Sequence, residues 1–145
     1  MVSLGNKPLW APLLADELLR RADRLRLVIT DVDGVLTDGG VYVSEHGEAL
    51  KRFSVRDGMG VERLREGGVE TVFLTRETSP IVQRRAEKLR IRHCFMGAVH
   101  KPSVLPRILA ETGIGLEQVA YIGDDVNDEE IMGLVAERGL VGAPL

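Results

Sequence analysis

The chain of 145 residues has a single cysteine, Cys94, and so no internal disulfide; nothing in it points to an oxidising compartment. Its three histidines, His46, His93 and His100, fit no metal-ligand spacing and read as surface or packing residues. Basic residues are not in excess. Nineteen Lys and Arg against 22 Asp and Glu give a formal charge of −3, so no basic domain offers itself to nucleic acid. No apolar run reaches membrane-spanning length, and the start lacks the apolar stretch and small-residue cleavage site of a secretory signal. Repeats, low-complexity tracts and linker-like stretches are also missing. These absences leave a cytoplasmic protein with no nucleic-acid or membrane partner, and the length is that of one domain, 1–145.

What the sequence does contain is a regular alternation of short β-branched runs with amphipathic helical patterns, at 44% apolar and 28% charged residues. That alternation predicts an α/β fold with a Rossmann-like parallel sheet flanked by helices. Strands are expected at 27–30, 69–74, 93–96, 119–122 and 139–141. A leader helix occupies Leu13 to Leu25, within residues 1–26, with Leu14, Leu18 and Leu25 facing the sheet. A second helix, Asp57 to Glu66, stops at a left-handed Gly67-Gly68 end. Ser79 and Pro80 are an N-cap and first-turn pair for a third, whose buried face is Ile81, Val82, Ala86 and Leu89. Val104, Leu105, Ile108 and Leu109 form the buried stripe of the fourth helix, and Ile131, Met132, Leu134 and Val135 that of the fifth. Residues 39–53, "GGVYVSEHGEALKRF", break the alternation with period-2 patterning around Gly47 and predict an inserted β-hairpin. It is either a plain surface hairpin or a flap beside a site. Cys94 reads as a small core hydrophobe.

Ligands of open parallel sheets bind where loops leave the carboxyl ends of the strands. There "ITDVDGVLTDGG" places Asp31 and Asp33 just past strand one, Thr75 ends strand two, Lys101 follows strand three, and "IGDDVND" carries Asp124, Asp125 and Asp128 past strand four. Carboxylates crowded at one edge repel one another unless a cation sits among them, and oxygen ligands favour a hard ion, best Mg²⁺. A carboxylate beside Mg²⁺ with a lysine and a hydroxyl suits phosphoryl chemistry. Taken singly, the same residues have plainer uses: Asp31 and Asp33 as turn formers, Asp128 as a helix N-cap, Thr75 as a strand residue, Lys101 as a solvated lysine.

The four motifs, in this order, resemble those of the haloacid dehalogenase-type phosphohydrolases. From residue 27 to 142, through "DVDGVLTDGG", "FSVRDGMGV", "TSPIVQRRAEKL" and "VAYIGDDVNDEEIM", the chain is similar to the branch that lacks a cap domain, the 3-deoxy-D-manno-octulosonate 8-phosphate phosphatases. The resemblance implies hydrolysis of a small phosphorylated sugar acid, first of all 3-deoxy-D-manno-octulosonate 8-phosphate, through an aspartyl-phosphate intermediate. It makes Asp31 the nucleophile and a Mg²⁺ ligand, and Asp33 the general acid and base, a substrate contact and a ligand through its carbonyl. Thr75 and Lys101 hold the phosphoryl group, Asp124 completes the metal site, and Asp125 and Asp128 support it from behind. Ser54, Val55, Arg56, Asp57 and Gly58, with Arg76 and Arg85, become substrate contacts. The hairpin, from Val41 to Phe53, becomes the contact surface of a homotetramer.

Two departures accompany the likeness. Where the family usually reads Thr-Gly-Arg, this chain reads Thr75, Arg76, Glu77, which opens the alternative of a nine-carbon nonulosonate 9-phosphate. The family's further helix and glycine-rich tail are expected to be absent, since the chain stops at "VGAPL". Outside this class stand a non-catalytic scaffold that keeps the fold, and a phosphoacceptor receiver domain, against which the close spacing of Asp31 and Asp33 speaks.

Overall fold

A computed structural model describes residues 15–144; Leu13 and Leu14 of the predicted leader helix lie outside them. The β-branched runs form β1 (Leu27–Thr30), β4 (Glu70–Leu74), β5 (His93–Phe95), β6 (Val119–Ile122) and β7 (Leu140–Gly142), each within a residue or so of its expected place. All four pairings among them are parallel, in the order β5-β4-β1-β6-β7. The chain moves outward from β1 through β4 to β5, then crosses back to place β6 on the other side of β1. The strand order therefore reverses between β1 and β6, and their carboxyl ends frame a crevice.

Alternate strand residues face opposite layers. Leu27, Ile29, Val72 and Leu74 pack with Leu105 and Ile108 of α4 (Lys101–Thr112) and Ile131 and Val135 of α5 (Glu129–Ala136). Phe73 and Val32 pack with Val61 of α2 (Val55–Glu66), with Val82 and Ala86 of α3 (Pro80–Lys88) and with Leu89 just after it, and Cys94 lies half-buried against this second cluster. Ser79 caps α3 as its sequence requires, its hydroxyl accepting the Val82 N–H. The stop of α2 differs in detail from its prediction: Gly67 has φ −80° and Gly68 alone takes the left-handed conformation, at φ +80°.

Two apolar assignments fail. Leu18 is 43% exposed on α1 (Ala15–Asp23), and Leu134 of α5 is 40% exposed. Of the described leucines of α1, Leu18 and Leu19 are exposed; Arg21 anchors the helix, donating at 2.9 Å to the carbonyls of Ala136 and Gly139 at the end of α5. Those carbonyls belong to a helix end and the turn after it, where no helical N–H is available. The predicted hairpin is present as β2 (Tyr42–Ser44) paired antiparallel with β3 (Gly47–Leu50), and Gly47 has φ +106°. It forms a sheet of its own, with Val41, Tyr42, Val43 and Leu50 exposed. None of the described helices is long and apolar enough to cross a membrane.

Gly139 shows how tightly the last crossover closes, because a Cβ built there would lie 2.0 Å from the backbone oxygen of Val119. Backbone cannot yield as a flexible side chain would. Gly139→Ala is expected to lower stability by about 2–3 kcal/mol, read as a lower urea midpoint at unchanged slope; an unmoved midpoint contradicts this packing.

Candidate functional site

The loop after β1 turns sharply by satisfying itself. The carbonyl of Val32 accepts the N–H groups of Leu36 and Thr37, and the buried Thr37 hydroxyl accepts those of Gly34 and Gly39. Gly34 sits at φ +84°, and a Cβ on it would lie 1.8 Å from Oδ2 of Asp124. The missing side chain thus makes room for a carboxylate from the β6 loop. Gly123 does the same for Asp128, whose Cβ and Cγ occupy the space a Cβ at 123 would need.

Asp31 is 5% exposed and its N–H donates to the carbonyl of Ile122, which fixes the end of β1 against the end of β6. Lys101, the first residue of α4, is 1% exposed. Its Nζ lies 2.5 Å from Oδ1 of Asp128 and 3.0 Å from Oδ1 of Asp31. The solvated lysine of the plainer reading is therefore not what the fold contains. Asp128 is wholly buried: Oδ1 also accepts the Tyr121 hydroxyl, and Oδ2 accepts the N–H groups of Asp124 and Asp125. The N-cap of the plainer reading is not what forms: Asp128 makes no side-chain cap bond to α5, and its second oxygen reaches back to the loop before it.

These neighbours act on protonation in opposite directions. Burial pushes the Asp31 carboxyl up to about 6, with Lys101 opposing and the Asp128 charge reinforcing the rise. Burial also works against ionised Asp128, yet the hydrogen bonds from Lys101 and Tyr121 outweigh it and hold that carboxyl below its ordinary value. Burial, followed by the bond to Asp128, raises Tyr121, so its hydroxyl stays a neutral donor.

Oxygens of Asp31, Asp124 and Asp128 all lie within 4.8 Å of one another. Both Asp128 oxygens are committed to protein donors, which leaves Asp31 and Asp124 as the side chains free to bind an ion. The donors are hard oxygens, three carboxylates meet one ammonium, and the Asp124 carboxylate lies over the Gly34 backbone. This set fits a divalent cation of the Mg²⁺ type. His46, His93 and His100 pair instead with Glu45, Glu111 and Glu130.

A cleft of about 520 Å³ opens beside the cluster, lined by Asp31, Asp33, Thr75, Arg76, Glu77, Asp125 and Asn127, and by Glu48 and Lys51 of the hairpin. Thr75 is buried at the end of β4, and its hydroxyl accepts the Glu77 N–H. Asp125 turns its carboxylate to the Val126 N–H. Of the expected substrate contacts only Asp33, Arg76 and Lys101 belong to this cleft or its cluster. Ser54 and Asp57 line a neighbouring depression, Val55 and Arg56 are exposed, and Gly58 packs under Arg85. Arg85 donates to the Ser54 carbonyl at 2.9 Å and stacks over Phe53, holding the start of α2. Sequence reasoning missed Lys51, whose Nζ sits 2.6 Å from Oδ1 of Asp33, and Tyr121. No period-two pattern marks Lys51: it lies just past β3, and Glu48, three residues before it, lines the same cleft.

No family model matches the sequence. The chain is 40% identical over 109 residues to the 3-deoxy-D-manno-octulosonate 8-phosphate phosphatase KdsC of Haemophilus influenzae, a match covering 75% of this chain and 61% of that protein. It thus spans less than two thirds of the length of that curated relative. The crystal structure of the same phosphatase from Yersinia pestis superposes with a TM-score of 0.81 at 39% identity, over 88% of this chain and 68% of that one. The Moraxella catarrhalis phosphatase, solved in complex with a magnesium ion, a phosphate ion and KDO, gives 0.76 at 35% identity, over 81% and 67% of the two chains.

The raised Asp31 carboxyl makes a statement about stability. Below the unfolded value of 3.8 the group is protonated in both states and imposes no cost; as pH rises through about 6 the buried charge forms and stability falls. In the metal-free protein, Asp31→Asn is expected to raise the thermal midpoint at pH 7.5 by about 5 °C, with the gain closing as pH drops from 6 to 4. A gain independent of pH contradicts this origin.

Proposed function

The chain belongs to the haloacid dehalogenase-like phosphohydrolases, in the branch of the 3-deoxy-D-manno-octulosonate 8-phosphate phosphatases, and from this premise we propose that it works as one phosphatase domain hydrolysing a small phosphorylated sugar acid in the cytoplasm. The observation that carries the reading is the meeting of Asp31, Asp124 and Asp128, with Lys101 paired to Asp31 and Asp128, beside a cleft lined by Asp31, Asp33 and Thr75.

In this reading an Asp31 carboxylate oxygen attacks phosphorus. The new O–P bond forms as the sugar O–P bond breaks, and Asp33 gives its proton to the departing alkoxide. Asp33 then takes a proton from water, whose oxygen attacks the phosphorus of the aspartyl-phosphate, freeing Asp31 and inorganic phosphate. The Thr75 hydroxyl and the Lys101 ammonium engage the phosphoryl oxygens. Mg²⁺, held by Asp31, Asp124 and the Asp33 carbonyl, would neutralise charge on the transferring group. Asp128 keeps Lys101 and the Asp124 backbone in place.

Arg76 is the cleft's cation for the sugar-acid carboxylate. Ser54, Val55, Arg56, Asp57, Gly58 and Arg85 stand outside the cleft of one chain, and in this reading they reach substrate only in an assembly. The hairpin's exposed Val41, Tyr42, Val43 and Leu50 suit a tetramer contact. The substrate of this reading is 3-deoxy-D-manno-octulosonate 8-phosphate, in keeping with the branch, and Glu77 in the cleft, where the family usually carries arginine, is the observation behind a second reading, a nine-carbon nonulosonate 9-phosphate.

Phosphate release from phosphorylated eight- and nine-carbon keto acids tests the reading. Turnover is expected with MgCl₂, to stop with EDTA, and to fall by at least about 10³-fold in Asp31→Asn. Activity that survives the substitution, or no release from any of these sugar phosphates, overturns it; the latter result is the scaffold's.

A further inference from the structure

The hairpin touches the site through one residue that the mechanism above does not use. Lys51 has a side chain only 2% exposed, and its Nζ lies 2.6 Å from Oδ1 of Asp33 and 3.2 Å from Oε2 of Glu48. The other Glu48 oxygen accepts the Ser79 hydroxyl, and Ser79 in turn caps α3. A row of alternating charge therefore runs from Asp33 across the hairpin to the helix beyond. At its inner end, Oδ2 of Asp33 is buried with no hydrogen-bond partner among the described residues.

We propose that Lys51 is a positioning residue for Asp33: its bond to Oδ1 fixes the orientation of a carboxylate at the wall of the cleft, so that proton transfer starts from one geometry. The proposal rests on the acid–base role assigned to Asp33 above. The terminal torsion of an aspartate is broad, so a carboxylate free at both ends samples orientations that cannot reach the leaving oxygen. Clamping Oδ1 removes that freedom. A lysine is a costly clamp unless its stem and charge are already fixed, because ordering four torsions and burying an ammonium are both unfavourable. Here both conditions hold: the stem is packed out of solvent, and Glu48, tied to α3 through Ser79, takes the ammonium's other side. The hairpin is then part of the proton-transfer apparatus and more than a cover.

The test uses the demand of the leaving group. A sugar alkoxide needs a proton as it departs, whereas p-nitrophenolate does not, and kcat/KM reports the steps through that first bond cleavage. Lys51→Met, Lys51→Gln and Lys51→Arg are compared with wild type on p-nitrophenyl phosphate and on whichever of 3-deoxy-D-manno-octulosonate 8-phosphate and N-acetylneuraminate 9-phosphate the wild type turns over. Lys51→Met is expected to lose about 10²-fold in kcat/KM on the sugar phosphate and less than about tenfold on the aryl phosphate. Lys51→Arg should restore most of the difference. Thermal melts with and without MgCl₂ should show the same metal-dependent rise in all variants, because the carboxylate of Asp33 is not what binds the ion. Should Lys51→Met give no cooperative melt, Lys51→Gln carries the comparison with the same pattern at smaller size. Equal losses on both substrates, or no loss on either, overturn the proposal while leaving the phosphatase intact; a wild type inactive on every substrate sinks the phosphatase reading and the proposal with it.

Discussion

The site depends on one buried ammonium. Lys101 enters the core side of the sheet edge at the first residue of α4, and a charge that far from water is tolerated only with close partners. Asp31, just past β1, and Asp128, on the loop after the adjacent β6, supply them, and glycines clear the way for the carboxylates of the β6 loop. Gly34 leaves room for Asp124 and Gly123 for Asp128. Topology brings β1 and β6 together, glycines let their loops close, and the lysine ties the closed loops into one cluster. The cluster remains out of balance, since one ammonium cannot offset three carboxylates. The residual negative charge is both a cost to the folded chain without an ion and the reason an ion belongs there.

The same arrangement divides the labour among carboxylates that look alike in the sequence. Asp128 has every oxygen engaged and is held ionised, so it serves as structure. Asp31 has one ammonium contact and a raised carboxyl, so its charge is open to an added cation. Asp33 has one oxygen tied and one free. Their environments push them toward different tasks, although "DVD" and "DDVND" present only short acidic side chains in loops.

Much of this was legible before any coordinates, and the boundary has physical causes. Strand ends could be read because β-branched runs stop where glycine and aspartate begin, and a parallel sheet gathers those ends, so Asp31, Thr75 and Asp124 had to share an edge. Lys101 could be placed at that edge by the strand before it, but its burial was not legible, since a lone lysine before a proline reads as solvated. Tyr121 was hidden inside the apolar run "VAYI", where nothing local tells that its hydroxyl meets an aspartate seven residues on. Leu18 and Leu134 mark the opposite limit: helical spacing shows that a stripe exists, but whether anything covers it is a tertiary matter. Arg56 and Arg85 were expected at substrate by likeness, and within one chain Arg85 is occupied with the Ser54 carbonyl and the Phe53 ring.

The hairpin shows how function and local stability are joined. A two-stranded ribbon is marginal by itself, and this one buries no face against its own chain. It is held at its base by the bridge between Thr37 and Phe53, by the surface pair of Arg52 with Asp38, and by the buried bond of Lys51 to Asp33. The exposed pair contributes little, so the buried one carries much of the attachment. The orientation of the Asp33 carboxylate and the seat of the hairpin are thus tied through one buried ion pair, which continues through Glu48 to the cap of α3.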